Sequence, residues 1–153
     1  MPDVTSSVVI AHPPQVVWDY VIDPDHLPNL LPGTISVDAG KEPPYVPGDV
    51  WHGVSRSFGI TNQWTGVFTK VDAPRMMEFQ LTESRFPVTT IDTLDEVPGG
   101  TRYTCHITGE PALGGPVGRL VDALMSGVIR RAMTKHHTKL PAHVDAWAAL
   151  QKG

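Results

Sequence analysis

Polar residues with possible catalytic use occur in a segment that otherwise has the pattern of a strand. From Thr89 to Val97, Leu94 is expected to face inward, and the two-residue period of a strand then places Thr90 and Asp92 on the same face. A carboxyl group in apolar surroundings has a raised pKa and can serve as a general acid or base. The opposite register, with Ile91 inward and Asp92 in water, is equally compatible with the sequence.

A second segment offers ligand contacts of another kind. From Ile60 to Val71, one strand face carries Asn62, Trp64 and Phe68. An amide at Asn62 can orient a ligand carbonyl, and the ring of Trp64 can stack on a planar molecule.

Two further segments carry polar candidates whose orientation the sequence leaves open. From Thr101 to Thr108, Tyr103 and Cys105 share a face; the Tyr103 hydroxyl can donate to a ligand or be a satisfied core group. No base stands next to Cys105 in sequence, which favours an inert buried thiol. From Asp49 to Ser57 either alternating set can face inward, so His52 and Arg56 are candidates in only one of two registers.

The histidines do not predict a metal site, although the chain has seven of them. His136 and His137 point about 100° apart on a helix, and neither an HExxH motif nor a cysteine pair is present. The glycines before Gly118 lack the spacing of a phosphate-binding loop, and there is no GxSxG motif. We therefore expect no metal and no cofactor.

Composition limits the class of protein and its partners. The chain has 153 residues, which predicts one domain over residues 1–153, and its net charge of −4 gives no basic field for nucleic acid or an anionic membrane. No apolar run approaches the roughly 20 residues of a membrane-spanning helix. A single cysteine, Cys105, fits a cytoplasmic location. The oligomeric state stays open, a homodimer included.

Turn residues divide the first two thirds of the chain into strands and two short helices. A strand is predicted from Thr5 to Ala11, a helix from Gln15 to Ile22, and a second short helix from Asp25 to Leu31 that Asp23 caps. Extended segments follow at Thr34–Asp38, Asp49–Ser57, Ile60–Val71, Met76–Glu83, Thr89–Val97 and Thr101–Thr108. Their short connections indicate an antiparallel meander.

A long helix is predicted from Gly115 to about Lys139, with Pro141 expected to kink or break it and Ala142–Leu150 continuing it for a turn or two. One apolar row at helical spacing is expected to face the sheet, and a second takes over further along. The first row is Val117, Val121, Leu124, Val128 and Ala132, and the second is Met125, Ile129, Met133, His136 and Leu140. Thioethers adapt to variable ligands, so the second row could line a cavity, although ordinary core packing explains it equally well.

The order of elements and several local phrases resemble the START-like superfamily, also called helix-grip or SRPBCC, and within it the polyketide cyclase/dehydrase-like branch. The phrases are His12–Trp18, Asp23-Pro24, Leu31-Pro32-Gly33, Pro47-Gly48-Asp49, Asp72–Arg75 and Gly100-Thr101-Arg102. The resemblance implies an α+β helix-grip fold. In that fold a seven-stranded curved antiparallel sheet wraps around the C-terminal helix, and an elongated apolar cavity lies between them.

Two functions follow from the resemblance and the candidate residues. The first is a polyketide cyclase/dehydratase-like enzyme, in which Asp92 and Tyr103 are the acid–base groups and Asn62 and Arg56 orient the substrate. Its apolar ligand would contact Trp64, Phe68, Thr90, Met125, Ile129, Met133 and His136. Family aromatase/cyclases place an arginine in the cavity, but the strand from Trp64 to Lys70 has none.

The second function is a non-catalytic carrier or sensor of a lipid or another apolar molecule. It needs only the cavity and a mobile mouth, for which the loop from Glu42 to Gly48 and the corner at Phe86-Pro87 are candidates. Convergent titratable groups in the interior would favour catalysis, and a uniformly apolar lining would favour carriage.

Overall fold

The structure is a computed structural model that describes residues 3–31, 33–57, 59–84, 88–109 and 115–152. Seven strands form one antiparallel sheet in the order β1-β7-β6-β5-β4-β3-β2. The strands are β1 (Asp3–Ile10), β2 (Thr34–Asp38), β3 (Val50–Ser57), β4 (Ile60–Asp72), β5 (Met76–Glu83), β6 (Val88–Val97) and β7 (Gly100–Gly109). The predicted meander from β2 to β7 is confirmed, and β1 returns to pair with β7.

The sheet is bent rather than flat because its longest strand, β4, is irregular. The pairing of β4 with β5 shifts register between Thr65 and Gly66 and again between Phe68 and Lys70. Such shifts bend a strand and increase its twist. The bent sheet has a concave face, on which the buried side chains of β4, β6 and β7 lie.

Two short helices follow β1, as predicted. They are α1 (Pro14–Val21) and α2 (Leu27–Leu30), joined by a single 3-10 turn at Pro24–His26. The Asp23 carboxylate accepts a hydrogen bond of 2.9 Å from the amide of Asp25, which confirms the predicted cap. The Tyr20 ring stacks on His26, with 4.0 Å between ring centroids, and meets the edge of Trp147 near the C-terminus.

The C-terminal helix α3 (Gly115–Lys152) is longer than predicted. Its 38 residues extend over about 57 Å and continue through Pro141, so the predicted break is wrong, while the predicted kink stays a prediction. Proline removes the amide that would bond to the carbonyl of His137, but Leu140 and Val144 are fully buried on either side of it. Tertiary packing therefore holds the helix through the missing hydrogen bond.

One of the two predicted apolar rows of α3 faces solvent. Val117, Leu124 and Val128, of the first row, are exposed by 66%, 64% and 51%, so the prediction that this row packs on the sheet is wrong. Periodicity identified two apolar faces, and the protein body covers only one. In the second row Met133 and Leu140 are fully buried, which confirms it as the packed side.

The packed side of α3 lies along the edge strand β1. The amide of Asp3 donates to the Ser126 hydroxyl at 3.3 Å, and further along the helix the Asp145 carboxylate pairs with His12 at 2.6 Å. The architecture is the helix-grip fold that the resemblance implied, with the long helix beside the concave face of a curved seven-stranded sheet.

Candidate functional site

The strand register that Leu94 predicts is the one that the structure adopts. Leu94 is 3% exposed, Thr90 is buried, and the buried Oδ1 of Asp92 lies on their face. Asp92 stands opposite Cys105 on β7 and opposite Met77 on β5. The Asp92 side chain therefore lies on the concave, inner face of the sheet.

A cluster of polar side chains surrounds this position. We call Ser6, Asp92, Tyr103, Cys105 and His137 the polar cluster. Ser6 stands opposite Cys105 in the pairing of β1 with β7, and its hydroxyl forms a 2.8 Å hydrogen bond with Nδ1 of His137 from α3. The His137 ring meets the Tyr103 ring edge-on, with 5.5 Å between centroids. Three strands and the helix thus bring four kinds of titratable group together.

Burial dominates the electrostatics of Asp92. It raises the pKa of the carboxyl group to about 6, because a charged carboxylate is poorly solvated there. The Cys105 thiol and the Tyr103 hydroxyl oppose this rise, since both favour the ionised form. Asp92 consequently changes protonation state close to neutral pH.

The same surroundings keep Tyr103 and Cys105 protonated. Burial raises the pKa of the Tyr103 hydroxyl well above its usual value, and the nearby Asp92 charge raises it further. The pKa of the Cys105 thiol is raised for the same two reasons. Tyr103 is therefore a hydrogen-bond donor, and the predicted burial of the Cys105 thiol is confirmed.

His137 is neutral in this cluster. Burial lowers the pKa of its imidazole to about 4, with a smaller contribution from His136. The side chain is 2% exposed. A neutral imidazole has one donor and one acceptor nitrogen, so the hydrogen bond to Ser6 decides which role remains for Nε2.

Three polar atoms on the inner side of the fold lack hydrogen-bond partners among the described residues. They are Asp92 Oδ1, His137 Nε2 and Trp51 Nε1, all of them buried. Buried polar atoms are almost always paired, with protein or with a bound molecule. A fourth buried atom without such a partner, His143 Nδ1, belongs to α3. All of these atoms have hydrogen-bonding capacity that the described residues do not use.

An aromatic wall continues the inner face away from the polar cluster. It consists of Tyr45, Trp51, Trp64, Phe68 and Phe79. Trp51 and Phe68 meet edge-on with centroids 5.0 Å apart, as do Phe68 and Phe79. Thr90 stands opposite Phe79, and Met77 stands opposite Asp92, so the wall borders the polar cluster.

The loop proposed as a mouth contributes one residue to this wall. Tyr45, in the segment from Glu42 to Gly48, is 4% exposed and stacks on Phe68 at 5.7 Å. Its hydroxyl donates to the carbonyl of Lys41, and the Asp49 carboxylate accepts from the Val46 amide and the Lys41 ammonium. The loop is thus anchored over the wall. The corner at Phe86-Pro87 lies outside the described residues.

The other predicted ligand contacts have different surroundings. Asn62 is buried and its amide donates to the Ser84 hydroxyl at 2.9 Å, while the Thr90 hydroxyl approaches the carbonyl of Phe79 at 3.5 Å. Met133 is fully buried, and Met125 and Ile129 are half-buried.

Arg56 is not brought to this site, because Trp51 and Gly53 face inward on β3 and Arg56 lies exposed on the other face. All six arginines that the structure describes are exposed, so none supplies the interior cation of family aromatase/cyclases. Arg85 lies outside the described residues.

His136 is half-buried, and its Nδ1 donates to the carbonyl of Ala132 one turn earlier. The next residue, His137, is the imidazole in the polar cluster. The sequence contained a signal for it, since His137 lies four residues after Met133 and three before Leu140 on the buried side. Tyr45 had no such signal, because its loop has no period.

An open cavity of about 490 Å³ lies beside β2, β3 and β4, and most of its lining residues belong to the other face of the sheet. It is lined by Ser36, Val37, Asp38, His52, Gly53, Val54, Gln63, Trp64, Thr65 and Glu83. His52 is exposed there and bonds through Nδ1 to the Thr65 hydroxyl at 3.0 Å. This cavity is separate from the polar cluster.

The described residues contain neither a metal-binding cluster nor a membrane-spanning helix. No three His, Cys, Asp or Glu side chains among them gather closely enough to hold a metal ion. No helix within the described ranges has the length and apolar character needed to cross a bilayer.

The fold and the buried inner face define a ligand-binding helix-grip protein. The chain belongs to the family described as polyketide cyclase / dehydrase and lipid transport, whose model matches residues 1–145. No curated protein matches the sequence.

Solved structures show the same fold at low sequence identity. A protein from Thermus thermophilus is 20% identical with a TM-score of 0.74, over 95% of this chain and 98% of that one. The Zhui aromatase/cyclase from Streptomyces sp. R1128 is 15% identical with a TM-score of 0.68, over 94% and 93%. A START superfamily protein from Mycobacterium smegmatis is 14% identical with a TM-score of 0.68, over 95% and 98%.

Proposed function

We propose that this protein binds an apolar, carbonyl-bearing small molecule against the concave face of the sheet and catalyses its cyclisation and dehydration. The observation that carries the proposal is the buried carboxyl of Asp92, whose Oδ1 has no partner among the described residues and whose pKa is about 6. The aromatase/cyclase among the structural neighbours supports the reaction class by analogy.

The chemistry assigns one role to each of two side chains. The Asp92 carboxylate removes a proton from the carbon next to a ligand carbonyl, and the Tyr103 hydroxyl donates a hydrogen bond to the enolate oxygen. The carbanion attacks a second carbonyl of the same molecule, a carbon–carbon bond forms, and the new alkoxide takes the proton from the Asp92 carboxyl.

Loss of water follows from the same pair of groups. The carboxylate of Asp92 takes a second proton from the carbon between the re-formed carbonyl and the new hydroxyl-bearing carbon, and the resulting acid form protonates the departing hydroxyl, which leaves as water. A pKa of about 6 populates both forms near neutral pH, as alternation between base and acid requires. Tyr103 stays protonated throughout because burial raises its pKa.

The aromatic wall supplies binding and orientation. Trp64 and Phe68 are 6% and 2% exposed, and their rings offer faces and edges to a planar or folded chain. Holding two carbonyls of one molecule close together lowers the entropic part of the barrier to ring closure.

Non-catalytic carriage of an apolar molecule is the alternative. The family description includes lipid transport, and the aromatic wall serves a carrier as well as an enzyme. The convergence of Asp92, Tyr103 and His137 on one face favours catalysis, because a carrier has no use for titratable groups there.

A trapping experiment separates these functions. Wild-type protein and Asp92→Asn, both purified from the native host, are analysed by native mass spectrometry, and the released small molecules are identified. Catalysis predicts that Asp92→Asn retains a precursor heavier by one or more waters than the molecule in the wild type. The same molecule in both proteins would contradict catalysis and support carriage.

Asp95→Asn is the matched control for that experiment. Asp95 lies on the same strand, is exposed, and is three residues from Asp92, so its amide variant should release the wild-type molecule.

A further inference from the structure

The outward side of α3 presents an aligned row of exposed apolar side chains. Val117, Leu120, Leu124 and Val128 are exposed by 66%, 63%, 64% and 51%. Their spacing of three and four residues places them on one side of the helix, opposite the buried Met133. We call these four residues the apolar stripe. Isolated exposed apolar residues are common on soluble proteins, but four adjacent ones on the same side of a helix form a continuous apolar patch.

Three cations extend the apolar stripe along the same side of the helix. Arg131, Lys135 and Lys139 continue its three- and four-residue spacing, and all three are exposed. The seven positions therefore carry four apolar residues, three cations and no carboxylate. From residue 115 to residue 140 the chain has five basic residues and one acidic residue, although the net charge of the protein is −4.

We propose that the apolar stripe and its three cations dock the protein on an anionic lipid surface. An interfacial helix buries apolar side chains at the boundary between headgroups and acyl chains, and neighbouring lysines and arginines pair with anionic headgroups. The acidic remainder of the protein is repelled by the same surface, so α3 is turned toward it. The proposal is independent of catalysis at Asp92.

The charges favour a lipid surface over a second copy of the chain. A symmetric pair of α3 helices could cover the apolar stripe, but the three cations of each copy would find no carboxylate on the same side of the other. A lipid surface covers the apolar stripe at the boundary with the acyl chains and pairs the cations with anionic headgroups.

Co-sedimentation with lipid vesicles tests the proposal. The probes are vesicles of pure phosphatidylcholine and vesicles with about one third phosphatidylserine. Each cation near such a surface contributes roughly a fivefold change in partitioning. We expect the wild type to bind the anionic vesicles at least tenfold more strongly than the neutral ones, and raised salt to weaken that binding.

Two double variants and two controls make the test specific. Leu120→Gln/Leu124→Gln and Lys135→Gln/Lys139→Gln should each lower binding to the anionic vesicles about tenfold or more. The controls are Ile35→Gln, exposed by 55% on the edge strand β2 at the far side of the sheet from β1, and Lys70→Gln, exposed on β4, and both should bind as the wild type does.

Three outcomes overturn the proposal. Failure of the wild type to bind anionic vesicles would overturn it, and so would an equal loss of binding in the two controls. A wild-type dimer in light scattering that becomes a monomer in Leu120→Gln/Leu124→Gln would assign the stripe to a second copy instead. Because all substituted side chains are exposed, folding should be preserved in every variant.

Discussion

Within the polar cluster, burial shifts two side chains in opposite directions. It raises the pKa of Asp92 to about 6 and lowers the pKa of His137 to about 4. Both shifts favour the neutral form, so at weakly acidic pH the cluster contains a carboxylic acid, a phenol, a thiol and a neutral imidazole. Such a cluster can exchange protons with a ligand without holding a fixed charge.

The raised pKa of Asp92 makes a prediction about stability. Its folded value lies above the unfolded value of about 3.8, so the stability that it contributes below pH 3.8 is lost as the pH rises through about 6. The unfolding free energy of Asp92→Asn, relative to that of the wild type, should therefore rise by up to about 3 kcal/mol between pH 4 and pH 7. Urea denaturation at both pH values measures the gain. A difference in unfolding free energy that stays constant with pH would contradict the burial of this carboxyl.

His137 predicts the opposite dependence on pH. Its folded pKa lies below the usual 6.5, so its contribution is present above pH 6.5 and is lost as the pH falls toward 4. Between pH 6.5 and pH 4, His137→Gln should lose roughly 3 kcal/mol less unfolding free energy than the wild type does. The neighbouring His136→Gln is the control, and thermal melts across this range provide the measurement. If both variants reduced the pH dependence of stability equally, the dependence could not be attributed to His137.

At the scale of the strands, the aromatic wall depends on a glycine. A Cβ at Gly53 would meet the Trp64 ring, so Gly53→Ala must displace that ring. We expect a loss of about 1–3 kcal/mol in unfolding free energy, with a change in tryptophan fluorescence. Gly127→Ala is the control, because a Cβ there has open space and alanine favours a helix. Wild-type stability and fluorescence in Gly53→Ala would refute the packing of Trp64 on β3.

At the scale of the helix, Pro141 leaves the carbonyl of His137 without its helical donor. Pro141→Ala restores that amide and should raise the unfolding free energy by about 1–3 kcal/mol. Pro116→Ala serves as the control, since the first turn of a helix needs no such donor. Denaturant titration compares the two, and destabilisation by Pro141→Ala would show that the proline ring has a packing role.

The strands could be predicted from the sequence because their turns are marked by proline and glycine. The orientation of β6 also followed from Leu94, since one inward residue fixes every second position on a strand. The local pattern could not give the orientation of β3, because both of its faces carry polar as well as apolar residues. The structure resolves this by turning Trp51 inward and leaving Arg56 exposed.

The C-terminal helix shows where local pattern fails. Two apolar rows were visible in the sequence, but only contact with β1 decides that the side containing Met133 is buried. The position of His137 beside Ser6 joins residues 131 apart in the chain. Neither fact is encoded within one element, so the sequence could predict Asp92, Tyr103 and Cys105 in the polar cluster but not the contact of His137 with Ser6.

At the scale of the whole molecule, the two faces of the sheet offer different places for a ligand. The inner face has the aromatic wall and buried polar atoms without partners among the described residues. The open cavity of about 490 Å³ near the outer face has a mixed lining, in which exposed polar side chains such as His52 and Gln63 stand beside Val37, Val54 and Trp64. An apolar molecule with a carbonyl or hydroxyl group matches the inner face, because burial of apolar surface provides most of the binding free energy.

The measurement that tests this account most directly is the location of ligand binding by NMR. Backbone and side-chain resonances are followed while 2-naphthol, a planar aromatic with one hydroxyl group, is added to the wild-type protein. We predict that the shifts change at Asp92, Tyr103, His137 and Trp51. Changes confined to His52, Gln63 and Glu83 would place the site in the outer cavity and contradict the account.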